Sequence, residues 1–99
     1  MKTIERVQTG IRIEKRLLKV MKALAESLDM PLGELIEGVL LHALEGKTAF
    51  QARTLDKAKA IRAVYELDLT ANDAHKLSEA AGSSAANTRP RNRRPAGSR

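Results

Sequence analysis

The chain has 99 residues, 18 Lys and Arg against 12 Asp and Glu, a net charge of +6 and no cysteine. That length is one domain's worth, and without cysteine there is no disulfide or thiolate chemistry. No apolar run approaches the ~18 residues of a membrane span, and Met1-Lys2-Thr3-Ile4 does not open a signal sequence, so no membrane partner and a cytoplasmic location are expected.

Chemistry at the first stretch begins with alternation. In Val7-Gln8-Thr9-Gly10-Ile11-Arg12-Ile13 the odd positions are apolar or small and the even ones polar or Gly. A period of two predicts a half-buried β-strand within Ile4–Ile13, with Val7, Thr9, Ile11 and Ile13 inward. Gly10 weakens such a strand and often marks close approach of another backbone. No second strand follows, and a lone strand leaves unpaired N–H and C=O groups on both edges. The same strand of a second copy is the expected partner.

From Lys15 to Leu28 the period becomes helical, with Leu17, Met21, Leu24 and Leu28 in one stripe. Asp29-Met30-Pro31 should stop this helix, because Met30 is biased away from helical geometry by the proline after it. Pro31 suits the start of a new helix. That second helix, Leu32 to Glu45, carries Leu32, Leu35, Ile36, Val39, Leu40, Ala43 and Leu44 at i, i+3, i+4, i+7, i+8, i+11 and i+12, and Gly46 is its natural stop.

Residues 47–53 read as a linker. Thr54 is the expected cap of a helix reaching about Leu67, and Thr70-Ala71-Asn72-Asp73 resembles a capping box opening a short helix to about Ala81. Residues 82–99 are Gly, Ser, Ala, Asn, Thr, Pro and Arg without periodicity, a composition expected to be disordered unless bound. Three segments follow: 1–46, a helical extension 47–81, and the Arg-rich tail 82–99.

Charge is unevenly spread over these segments. Residues 1–25 hold seven basic and two acidic groups, residues 26–46 hold five acids and no Lys or Arg, residues 47–81 are nearly balanced, and the tail adds five Arg. Basic ends around a less basic middle suggest a polyanion partner. No enzyme is expected. Gly46-Lys47-Thr48 lacks the first Gly of a phosphate-binding loop and follows a helix rather than a strand. His42 and His75 lack the converging ligands that a metal needs. The serines have no His and carboxylate placed to activate them. No cofactor or metal is therefore expected.

Strand, helix, tight break and helix over about residues 3–46 together resemble the ribbon-helix-helix family of DNA-binding proteins. The resemblance is carried by Gln8-Thr9-Gly10-Ile11-Arg12-Ile13, the helix from Lys15 to Leu28, the break at Asp29-Met30-Pro31 and Glu34-Leu35-Ile36 of the second helix. It implies a mainly α fold with one β-strand per chain: an intertwined homodimer with a two-stranded antiparallel ribbon over four helices, plus C-terminal helices. It also implies that Gln8, Gly10 and Arg12 face the major groove, with Arg6 at the ribbon's end. Gln pairs with adenine and Arg with guanine at about 1–3 kcal/mol of discrimination each, while Gly10 contributes no side chain. The N–H groups of Leu32 and Gly33 would clamp a phosphate at a helix N-terminus, and Lys15 and Arg16, with Lys19, would reach the DNA backbone. Pro31 and Asp29 depart from the residues usual there.

The expected function is sequence-specific binding of double-stranded DNA as a transcriptional repressor, by a homodimer able to form higher oligomers on DNA. Two alternatives stand beside it. One is the antitoxin of a toxin–antitoxin pair, with residues 47–81 holding a protein partner. The other is an accessory DNA-binding protein of plasmid partition or the relaxosome.

Overall fold

A computed structural model describes residues 1–80. Three helices form in order: α1 (Lys15–Ser27), α2 (Leu32–Leu44) and α3 (Ala52–Val64). They are followed by a single 3-10 turn at Ala71–Asp73. The chain divides after Asp68.

Capping chemistry explains where the helices begin and end. The Glu14 side chain accepts a hydrogen bond from the Leu17 N–H at 2.8 Å, which satisfies one of the first-turn donors of α1. All three helices end in the same way. After α1, Asp29 turns left-handed (φ 57), its N–H donates to the Glu26 carbonyl, and the Met30 N–H donates to the Ala25 carbonyl. Gly46 (φ 71) and Glu66 (φ 55) repeat this geometry after α2 and α3. There the N–H groups of Lys47 and Leu67 reach back to the His42 and Arg62 carbonyls. This is the Schellman motif, which uses up orphan carbonyls of the last turn. It usually brings an apolar residue just past the turn onto the helix. Met30 packs against the core in that position, and Leu67 is buried there.

The first 14 residues correct the sequence reading. No β-strand forms among the described residues, so there is no ribbon and no intertwined strand-paired dimer; the fold is mainly helical without a sheet. Residues 1–14 lie outside any helix or ladder. Val7, Ile11 and Ile13, expected to face inward against a core, are 86%, 72% and 39% exposed. The physical reason is the one raised by the sequence itself. Within one chain these residues have no ladder partner, and water serves the backbone groups equally well when they are exposed. Gly10 marks no close approach, since a Cβ placed there would meet nothing within 4 Å.

The core is built on α1, which packs against both α2 and α3, while those two do not pack on each other. Leu24, Ala25 and Leu35 form its centre, with Met21, Leu28, Met30, Val39, Phe50, Ala58 and Ile61 against it. Of the α2 stripe, only the first half is used. Leu35 is buried and Val39 packs on the centre, whereas Leu40 and Leu44 of the stripe, and Leu41 beside it, remain exposed.

Two boundaries also move. The third helix starts at Ala52, with Gln51 before it making no side-chain cap, rather than being capped by Thr54, and ends at Val64. The helix expected from Thr70 stops after one turn. Its capping box does form, with the Thr70 N–H donating to Asp73 Oδ2 at 2.8 Å. Capping alone cannot carry the cost of helix nucleation where no apolar face has a surface to pack on. His75 then turns left-handed. The Arg-rich tail falls outside the described residues.

Candidate nucleic-acid interface

Helix by helix, the fold sorts charge. α1 carries Lys15, Arg16, Lys19 and Lys22 against Glu26 alone. α3 carries Arg53, Lys57, Lys59 and Arg62 against Asp56 alone. α2 has Glu34 and Glu37 and no Lys or Arg. The two cationic helices pack on each other.

Where they meet, the first turn of α1 and the last turns of α3 enclose an open groove of about 470 Å³, lined by Arg16, Lys59, Arg62, Ala63, Glu66, Leu67 and Asp68. Arg16 is fixed on three sides. Its Nε donates to Glu14 Oε2 at 3.1 Å, and its Nη1 donates to the Glu66 carbonyl and to Asp68 Oδ1, both at 3.0 Å. The hydrogen bond to Glu14 is the main cause holding the Arg16 guanidinium above its usual range. Arg62 Nη2 reaches the Leu67 carbonyl at 3.4 Å. Both guanidiniums are thus drawn to carbonyls of the turn just past α3. For Glu14, partial burial opposes ionisation, but the Leu17 N–H and the Arg16 guanidinium outweigh it and hold the carboxyl below its ordinary range.

The residues expected to contact DNA are distributed over two regions. Gln8, Gly10 and Arg12 sit on the exposed N-terminal arm, with no ribbon to present them. Arg6, on the same arm, makes a two-pronged pair with Glu37 of α2, Nε to Oε2 at 2.8 Å and Nη2 to Oε1 at 2.9 Å. Lys15 is exposed at the start of α1, and Arg16 lies in the groove. Leu32 and Gly33 do open α2, after Pro31, with no side chain capping that end.

The sequence reading missed Lys59 and Arg62. Over residues 47–81 the six basic and five acidic groups nearly cancel, which hid the local pattern. A window matched to the helix would have found it, because Glu66, Asp68, Asp73 and Glu79 all lie beyond Val64.

Among the described residues no three His, Cys, Asp or Glu side chains gather as metal ligands, and no helix is long and apolar enough to cross a membrane. The His42 Nδ1 lies 2.7 Å from the Gly38 carbonyl, a hydrogen bond within its own helix. No family model, curated protein or solved structure matches the chain.

Proposed function

We propose that this chain binds double-stranded DNA as a homodimer and acts as a transcriptional repressor. The observation behind this reading is the sorting of charge, with two adjoining helices strongly cationic and the anionic helix set apart from α3. A surface of that kind attracts a polyanion at long range and gains affinity from counterion release when phosphates are neutralised. The arm adds Gln8 and Arg12, side chains whose donors suit base edges in the major groove. The dimer is supported by the exposed Leu40, Leu41 and Leu44 of α2, since a chain this short with so small a core gains much from burying them against a second copy. Occlusion of a promoter is the simplest consequence of such binding.

The test is fluorescence anisotropy with a duplex from the protein's own upstream region and a scrambled duplex, across a salt series, for wild type and Arg12→Ala. Affinity should fall steeply with salt, by a log–log slope of about 0.9 for each phosphate neutralised. Arg12→Ala should narrow the preference for the upstream duplex. Absence of salt-sensitive binding to either duplex overturns the reading.

A further inference from the structure

From the groove between α1 and α3 we infer a binding site for a phosphate group, which in the setting of the proposed DNA binding is a phosphodiester of the DNA backbone. The inference rests on that reading for its source of phosphate, though not for the site itself. Three cations from two helices line the groove: Arg16, Lys59 and Arg62. Arg16 is held by Glu14 and the Glu66 carbonyl, so its orientation is set before any ligand arrives. A pre-oriented guanidinium loses little freedom when an oxyanion binds, and charge-assisted bonds to it are about twice as strong as neutral ones.

Two acids share the groove, and their positions define its behaviour. Asp68 is 80% exposed, yet its Oδ1 lies 3.0 Å from Arg16 Nη1. A carboxylate oxygen at that distance occupies the place that a phosphate oxygen would take. Because Asp68 is so exposed, its hold on Arg16 is screened and readily displaced. Glu66 contributes its carbonyl to Arg16, while its side chain is a second negative charge at the rim. Asp68 therefore acts as an internal competitor: it keeps Arg16 in place when the groove is empty and sets the affinity threshold for phosphate.

The experiment uses the full chain labelled with nitrogen-15, titrated in separate arms with inorganic pyrophosphate and with duplex DNA. Arg16 and Arg62 side-chain signals should move in both arms and ahead of those of Arg53. Lys59→Gln should weaken both ligands by about two- to fivefold, and Asp68→Asn should tighten both by a similar factor, as expected for partly exposed ion pairs. Lys47→Gln, which removes an equal charge outside the groove, should change neither. Shifts with pyrophosphate but not with DNA support the site and overturn the DNA reading. DNA binding without groove shifts, or with Lys59→Gln no different from Lys47→Gln, overturns the site and leaves the DNA reading standing. Silence in both arms overturns both.

Discussion

Arg6 and Glu37 are joined by two parallel hydrogen bonds, 2.8 and 2.9 Å long, across 31 positions of sequence. The pair fastens the N-terminal arm to α2. It occupies the Nε–Nη2 edge of the very arginine that the sequence offered as a DNA contact, so Glu37 and a phosphate compete for that edge. Both side chains are well exposed, which keeps the latch weak and reversible. Glu37→Gln should free the arm without unfolding the helices. Trypsin cleavage after Arg6 and Arg12 should accelerate by about two- to fivefold while the helical circular dichroism stays unchanged. An unchanged cleavage rate would show that the arm is held by other contacts.

The same pair makes a prediction about pH. Hydrogen bonding to Arg6 is the main cause lowering the Glu37 carboxyl from its ordinary value. Glu14 is lowered as well, its bonds to Leu17 and Arg16 outweighing the opposing effect of burial. A carboxyl whose pKa is lower in the folded chain binds fewer protons there than in the unfolded chain. Its stabilisation is complete above the ordinary carboxylate range and is lost as pH falls through the lowered value. Urea midpoints should therefore be flat near neutrality and drop below about pH 4.5. Glu14→Gln should flatten part of that drop. Midpoints that stay flat through the acid range would show that these two carboxylates do not link folding to pH.

Core energetics can be tested at one residue. Leu24 is 1% exposed and lies at the centre of the cluster joining α1 to α2. Leu24→Ala removes packing at the centre of that cluster and should cost about 2–5 kcal/mol, a large share of the stability of so small a domain. Chemical denaturation followed by circular dichroism would measure it. A cost below about 1 kcal/mol, the size of a surface change, would mean that Leu24 is not central to the core.

Helices were legible because each has its own local signals. The 3.6-residue stripe through Leu24 and Leu35, the stop at Asp29-Met30-Pro31 and the left-handed Gly46 all act within a few residues. The arm was not legible for the opposite reason. Alternation in Val7–Ile13 states a preference that becomes a strand only if another strand lies alongside, and the chain supplies none. The Thr70–Asp73 box shows a related limit: it formed as read, but a cap does not make a helix. Arg16 is offered by the resemblance as a contact to the DNA backbone, and the structure places it in the groove. The placement of Lys59 and Arg62 beside it depends on α3 packing on α1, which no local pattern encodes.

Beyond Val39, no apolar side chain of α2 packs on the central cluster. Leu40 and Leu44, at the end of the cleanest stripe in the sequence, are 55% and 84% exposed, and Leu41 beside them is 65% exposed. Burying a leucine side chain fully contributes about 1.5–3 kcal/mol, so leaving these largely in water forgoes a substantial part of that for each. The proposed homodimer recovers it. Leu40→Glu with Leu44→Glu would place two charges in that seam, where burial without partners is prohibitive. Sedimentation velocity at micromolar concentration should show wild type as a dimer and the double variant as a monomer. The variant should keep its α1–α3 packing, since neither residue belongs to the central cluster. Its DNA affinity should fall more than the loss of Lys59 alone would explain, because two linked sets of contacts become one. A wild type that sediments as a monomer, with the double variant no different, would remove the dimer from the proposed function.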